Sequence, residues 1–447
     1  MNKIKIRGTV SLLIVILIPL FSIPQVLQAQ TSENSIPKTV NLNQAIEYAL
    51  VHQPLVKQSQ IDQEIANKVI KGKLADWFPQ LNAALNYQHF IELQKSVIAG
   101  NVIKFGVNNT SSVQFSATQS IFNRDVLLAS STASKVRQQS QLTTSKSKID
   151  LVVGVTKAFY DLLATSQQIR VNEESIVRLQ RSLKDAYNRY KSGIADKTDY
   201  KRATILLGNA EASLKANVEL LKVKEASLKT LMGYPAEHSL EIKYDTLQLE
   251  NEIQLDTAQE LHYTSNIDYK LLYSQRELQD ANVRYSNWAF LPSLSAFGNY
   301  NLNFQNNAFK DLYNTKYPYS FVGTTLSIPV FQGGKRVAKV QEQKLVSKRL
   351  DEGMANLKNA LNTEYTRALA QYKSNLKNYQ VQKENVELAR EVFEVIQLQY
   401  NKGVRAYLDV TIAETDLRTT KINYFNSLYQ VLASKMDVLR ALGQINY

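Results

Sequence analysis

A chain of 447 residues with 44% hydrophobic and 21% charged side chains is neither a disordered polymer nor a bundle of membrane-spanning helices, and its length allows two or three domains. The net charge of +13 has no basic cluster behind it: Lys and Arg are spread along the chain beside Glu, Asp and Gln, as on solvated helix faces, so no nucleic-acid partner is expected. With no cysteine there can be no disulfide, thiolate metal site, cysteine nucleophile or lipid on an N-terminal cysteine.

The chain begins with a basic start (Lys3, Lys5, Arg7), an apolar run from Leu12 to Phe21 and a small-residue exit at "LQAQ", the layout of a secretory signal peptide over residues 1–29. An uncleaved anchor fits less well, because the run falls short of the ~20 residues of a span and prolines interrupt it at Pro19 and Pro24. The mature protein is therefore expected to work beyond the inner membrane. No later stretch approaches ~18 apolar residues, so any membrane segment has to be built from β-strands.

A half-length helix is expected from Leu42 to Ala75, followed by a strand at about 81–94. In "LNAALNYQHFIE", Leu81, Ala83, Leu85, Tyr87, His89 and Ile91 alternate with Asn82, Asn86, Gln88 and Glu92. A second strand, about 112–122, sets Val113, Phe115, Ala117 and Ile121 against Gln114, Ser116, Thr118 and Ser120. A proline-free stretch follows, about 124–191, with apolar residues spaced near 3.5 (Ile149, Val152, Phe159, Leu163, Ile176, Leu179, Leu183). At ~1.5 Å per residue this one helix is about 100 Å long, too long for a compact core to wrap. A corner at about 191–199 and a half-length helix from Asp199 to Leu231 complete the first half, residues 30–239.

Residues 240–254 read as a connector, and residues 255–447 repeat the order. A helix from Leu255 to Trp288, strands at about 293–305 and 319–331, a long helix at about 334–401, a corner at about 401–408 and a helix from Leu408 to Leu442 are expected, the last strand alternating less cleanly than the others. "DWFPQLNAALNYQ" aligns with "AFLPSLSAFGNYN", and beyond the corners a constant offset of about 210 positions pairs Tyr190 with Tyr400, Gly193 with Gly403, Asp199 with Asp409 and Gly233 with Gly443. Such units cannot bury their faces alone. Two half-length helices end to end would match one long helix. Four strands with one apolar and one Asn/Gln/Ser face suit an outer-membrane barrel wall but cannot close one, since the smallest have ~8, so other copies of the chain have to pair the edges.

Nothing in the sequence calls for catalysis, a metal or a cofactor. The histidines (His52, His89, His238, His262) are scattered without metal-ligand spacing. "GGKR" has Pro329 where a phosphate loop needs its first glycine and Arg336 where it needs Ser or Thr, so Gly333 and Gly334, with Pro79, Pro292 and Pro329, read as strand-to-helix hinges. Ser145 and Lys148 form a lone SxxK without its partner motifs.

The start "LNQAIEYALVHQPLVK", "WFPQLNAALNY", "SIPVFQGGKR", the two Tyr-x-x-Gly corners followed by Asp and the late "LRALG", in this order and duplicated, resemble the TolC-like family of outer-membrane efflux and secretion channels. The resemblance implies a mostly α protein with membrane β: a homotrimer whose copies each give four strands to one 12-stranded barrel in outer-membrane lipid, continued by a long α-helical tunnel through the periplasm. It implies an exit duct for a tripartite efflux or type I secretion system, docked by a periplasmic membrane-fusion adaptor to an inner-membrane pump of RND or ABC type. A non-conducting coiled-coil tether of the envelope is the alternative; the wet strand face speaks against it.

By the same resemblance each corner is a hairpin tip, with Gly193, Ile194, Ala195, Thr198, Asp199, Gly403 and Val404 in the adaptor-contact positions. Tyr400, Arg405 and Asp409 match a periplasmic gate, in which a tyrosine and an arginine tie neighbouring helices and acidic rings line the constriction; Ile412 stands where a second ring aspartate is common. The same residues also have plain structural readings: Tyr400 as a packed seam, Arg405 as a solvated corner charge, the glycines as left-handed helix stops, and Asp199 and Asp409 as N-caps.

Overall fold

The computed structural model describes residues 38–447, and the expected signal peptide lies outside the described residues. The elements are, in chain order, β1 (Thr39–Val40), α1 (Leu42–His52), α2 (Pro54–Ala75), β2 (Gln80–His89), β3 (Gln94–Ile98), β4 (Asn101–Phe105), β5 (Asn109–Phe122), α3 (Arg124–Lys191), α4 (Lys197–Met232), β6 (Glu241–Ile242), α5 (Thr246–Asn251), α6 (Ile267–Asn287), β7 (Ser293–Asn306), β8 (Lys316–Ser327), α7 (Lys335–Asn401) and α8 (Tyr407–Leu442). Among the described residues no helix is long and apolar enough to cross a membrane.

β2, β5, β7 and β8 form one antiparallel sheet in that order, leaving β2 and β8 as its edges. The register puts Leu85, Val113 and Leu302 in one row and Ala83, Phe115 and Tyr300 in another, so the apolar residues share a face on which Leu81, Leu85 and Val322 stand exposed. The opposite face carries Asn82, Ser116 and Asn299 in one row and Ala84, Gln114 and Asn301 in the next, with Gln114 Nε2 donating to Asn299 Oδ1 at 3.2 Å. β8 departs from this division: Tyr317, Tyr319 and Phe321 pair with Asn303, Asn301 and Asn299 and so lie on the polar face. Gly323 accommodates the Phe297 ring there, since a Cβ at Gly323 would stand 2.7 Å from its Cζ. This accounts for the weak alternation of the last strand.

The helices pack in a matching order. α3 lies between α2 and α4 on one side and α6 and α8 on the other, and α7 packs on α6 and α8. Half-length helices stack end to end to match each long one. Gly233, the left-handed C-cap of α4, abuts the end of α1, and Gln53 Nε2 donates to Thr230 O at 3.2 Å. Gly443 caps α8 in the same conformation against Ser265, and Asn266 Nδ2 donates to Ala441 O at 3.3 Å.

Ion pairs across α3 and α8 run in antiparallel register: Asp150 with Arg440 (2.8 Å), Lys157 with Asp437 (2.5 Å), Glu174 with Lys421 (2.9 Å) and Arg178 with Glu414 (2.9 Å). Lys135–Glu277 (2.6 Å) and Lys146–Asp268 continue the series onto α6. Between these charges Phe159, Leu163, Leu428 and Leu432 form the dry seam.

Several boundaries differ from the sequence reading. The helix expected over Leu42–Ala75 breaks at Gln53, because Pro54 disfavours a helical residue before it and suits the first helical position after it; the Gln53 side chain caps α2 by accepting from Leu55 N at 3.1 Å. The helix expected from Leu255 starts only at Ile267. The preceding segment stays irregular while side chains of α7 and α8 satisfy its carbonyls, Tyr372 at Ile253 (2.9 Å), Tyr365 at Gln259 (2.6 Å) and Lys435 at Glu252 (2.6 Å). β2 ends at His89, and the stretch read as its continuation enters the β3–β4 hairpin, which turns at Ala99 (φ +50°) and Gly100 (φ +82°). β8 starts at Lys316, includes Pro318, which an edge strand tolerates, and stops at Ser327, ahead of Pro329.

The two stacking glycines should tolerate no side chain. Gly443→Ala places a Cβ 2.5 Å from Ser265 O at φ +72°, and we expect a lower melting temperature and a loss of about 1–3 kcal/mol. Gly72→Ala, in the interior of α2 with open space around it, should instead stabilise by about 0.5–1 kcal/mol; both are read by thermal circular dichroism.

Candidate functional site

The two corners are built alike. α3 ends with Gly193 at φ +74°, its amide bonded to Tyr190 O (3.0 Å) and the Ile194 amide to Arg189 O (2.9 Å); α7 ends with Gly403 at φ +76°, bonded to Tyr400 O (3.0 Å), and Val404 to Gln399 O (2.9 Å). These paired bonds satisfy helix-end carbonyls and leave Ile194 and Val404 projecting, about three-quarters exposed each. Ala195 follows, its amide bonded to Arg189 O at 3.3 Å.

The N-caps are Asp196 and Ala406, so Asp199 and Asp409 are not caps but first-turn carboxylates near the positive helix ends. Asp196 accepts from the Thr198 amide at 2.7 Å, and that bond, with the Thr198 side chain, holds its carboxyl below the usual range. Asp199 is pushed up, by burial first and then by the charge of Asp196, with Arg202 opposing. Ala406 offers no side-chain cap, which leaves the start of α8 the less anchored of the two.

Tyr400 is buried where the four corner helices meet, with Ala186, Ala203, Tyr407 and Val410. Its ring lies 5.5 Å from that of Tyr407 and 4.6 Å beneath the Arg189 guanidinium. Burial raises the pKa of its hydroxyl, and the hydroxyl has no hydrogen-bond partner among the described residues. Arg405 turns away from Tyr400: its Nε donates to Gln399 Oε1 at 3.0 Å and its Nη1 stands 3.7 Å from Asp409 Oδ2. Thus Arg405 and Asp409 meet within a chain while Tyr400 is held by Arg189. Ile412 is half exposed in a shallow apolar groove with Ile205 and Leu206.

Two groups escaped the sequence reading. Arg189 joins the corners, reaching Asn401 O (3.5 Å) as well as the Tyr400 ring. Glu414, only 5% exposed at its side chain, accepts from Ser175 Oγ (2.7 Å), Arg178 Nε (2.9 Å) and Arg178 Nη2 (3.1 Å), binding α8 to α3 about two turns into α8. Neither had a local signal, because each partner lies more than 200 positions away. Of the residues read as strand-to-helix hinges, Pro329, Gly333 (φ +58°) and Gly334 (φ +82°) lie between β8 and α7, whereas Pro79 and Pro292 precede β2 and β7 and so stand where helix passes into strand.

The sequence matches the family described as outer membrane efflux protein over residues 45–234 and 273–444. The chain belongs to that family. It is 20% identical over 431 residues to the outer membrane protein TolC of Escherichia coli K12, covering 92% of this chain and 84% of TolC, and 19% identical over 414 residues to TolC of Vibrio cholerae, covering 91% of each. Among solved structures it superposes on VceC of Vibrio cholerae (TM-score 0.70, 14% identity, 90% of this chain and 96% of VceC) and on the open state of the MtrE outer membrane channel of Neisseria gonorrhoeae (0.71, 18%, 90% and 88%). It also superposes on CusC (0.74, 16%, 90% and 91%). At these identities the superpositions establish the fold. The efflux protein is thus an outer-membrane transport protein, with an exit duct as its general role, and not an enzyme.

The Glu414 network yields a measurable coupling. Glu414→Ala should cost about 3 kcal/mol by leaving Arg178 without its partner, whereas Glu414→Leu combined with Arg178→Met should cost less than the sum of its single changes by more than about 1 kcal/mol. A double-mutant cycle on apparent unfolding free energy measures it, and strict additivity would mean that the pair does not bind α8 to α3.

Proposed function

We propose that three copies of this chain assemble into the outer-membrane duct of a tripartite efflux or type I secretion system. Each gives four strands to one 12-stranded barrel, and the helices continue it as a tunnel toward an inner-membrane pump of RND or ABC type. The observation that carries this reading is that the sheet and the helical layer have open edges in the same order. The sheet ends in β2 and β8. The helical layer ends on one side in α2 and α4, with Ile61, Ile65, Ile205 and Val223 exposed, and on the other in α7, with Leu345, Leu388, Val395 and Leu398 exposed. A head-to-tail contact would satisfy both edges at once, and such contacts form a ring where the rotation between copies closes. Two copies would give eight strands, whose interior side chains just fill, whereas three leave a lumen.

The near-equal lengths of α3 and α7, at 68 and 67 residues, and of α4 and α8, at 36 each, support a duplicated half as the building unit. The projecting corners, with Gly193, Ile194, Ala195, Thr198, Asp199, Gly403 and Val404, are the contacts for a periplasmic membrane-fusion adaptor. Tyr400, Arg405 and Asp409 form the entrance that the adaptor opens. One acidic ring at Asp409, with apolar Ile412 in the next position, would focus a negative potential without a second filter.

Single-channel currents of the purified protein in a planar bilayer test the reading. Small wild-type currents, blocked by a multivalent cation on the helical side, should lose the block in Asp409→Ala and grow in Arg405→Ala, which removes the charge 3.7 Å from Asp409. Verified, inserted trimers that carry no current would overturn the duct and favour the tether. Current indifferent to both substitutions would keep the duct and move its entrance elsewhere.

A further inference from the structure

Where the sheet gives way to the helices, a cleft of about 660 Å³ opens among the starts of α3 and α7, the last turns of α6 and the helix-proximal ends of β7 and β8. Four cations line it, Arg124, Lys335, Arg336 and Lys339, against one carboxylate, Asp125. Asp125 is already engaged by the Tyr285 hydroxyl at 2.5 Å, and Lys339 by Glu342 at 2.7 Å. The two arginines are fixed by neutral groups. Arg124 lies 4.7 Å over the Tyr285 ring; Arg336 donates to Pro329 O (2.9 Å) and Gln332 Oε1 (3.1 Å) and lies 5.4 Å from the centre of the Phe290 ring. These contacts hold the guanidinium groups in place without neutralising them. α7 adds to the positive potential, since its N-cap is Gly334 and no side chain caps its first amides.

Strand parity decides which side the cleft serves. Ser293 and Ser327 are cross-strand partners with the parity of Asn299 and Asn301, and both line the cleft, as does Pro329. Leu326, which pairs with Leu294 on the apolar face, does not line it; Phe122, also opposite Leu294, does line it, but only after the register shift between Ser120 and Phe122 that ends β5. The cations therefore gather on the side of the polar strand face, the wet side of a barrel wall.

We propose that this cleft is an anion-binding site inside the neck of the duct, taking solutes that carry a phosphate or carboxylate group beside an apolar or aromatic body that can lie on Tyr285 and Trp288. The proposal rests on the duct reading. Each copy in the ring would contribute one site, so that an anionic solute leaving the helical tunnel meets a concentrated positive potential before it enters the barrel.

Binding of inorganic tripolyphosphate to the detergent-purified full-length trimer, by calorimetry, tests the site, and block of single-channel current by tripolyphosphate on the barrel side tests its place in the path. Lys335→Gln with Lys339→Gln, which removes two charges that hold no backbone group, should weaken binding and block by about tenfold or more, with Arg124→Gln acting in the same direction. Cation block at the helical end should not change. Wild-type protein that does not bind tripolyphosphate, or variants that bind it as well as wild type, would overturn the site. Binding lost in the variants while inserted protein passes no current would overturn the duct reading, and with it the role in cargo passage. Phospholipid retained in the cleft and not displaced by tripolyphosphate would overturn the lumen assignment, because a headgroup reaches the cleft from the lipid side.

Discussion

Hydrocarbon offers no partner to a backbone amide or carbonyl, so a strand in a membrane has to be hydrogen-bonded on both sides. Of the four strands of the main sheet, β5 and β7 meet that condition, while β2 and β8 each have one row of backbone groups at an open edge. The helices repeat the situation in water, where the unmet requirement is apolar area on α2, α4 and α7 rather than hydrogen bonds. Both deficits fall on the same two flanks, which is what favours the proposed ring of identical copies.

Long helices bring a second constraint, because a seam of about 100 Å made of similar apolar residues can slip by a turn at little cost. The ion pairs along α3 fix the register. Most lie at partly exposed positions, where each is worth well under about 1 kcal/mol, so they choose among alignments more than they stabilise one. Glu414 is different. It is buried with its hydrogen-bonding capacity used by Ser175 and Arg178, so any alignment that separates them leaves an uncompensated charge. It lies close to the corners, where a sliding helix would do most to alter an entrance.

Periodicity made the large elements legible: the spacing near 3.5 of α3 and the alternation of β2, β5 and β7 need no partner to be recognised. What stayed hidden was set by tertiary contacts. The segment before α6 carries helix-compatible residues, yet tyrosines and a lysine from α7 and α8 bond its carbonyls and it stays irregular. β8 places Tyr317, Tyr319 and Phe321 on the polar face, where Gly323 leaves room for Phe297, an arrangement visible only once register is known. At the corners the glycines and the offset of about 210 positions revealed the architecture, but not that Arg189 rather than Arg405 would hold Tyr400.

The charges along the proposed path are not uniform. Asp409 and Asp199 stand in the first turns at the corners, where helix dipoles favour carboxylates, and four cations gather at the other end of the long helices beside the dipole of α7. Because α3 and α7 each run from the neck to a corner, their positive ends lie at the neck and the starts of the returning helices α4 and α8 lie at the corners. Positive helix ends therefore lie at both places: at the neck Arg124, Lys335 and Arg336 add to them, whereas at the corners Asp199 and Asp409 stand among Lys197, Lys201, Arg202 and Arg405 and beside the negative ends of α3 and α7. The two ends thus differ in what accompanies the helix dipoles, one engaged carboxylate facing four cations at the neck and carboxylates interleaved with cations at the corners.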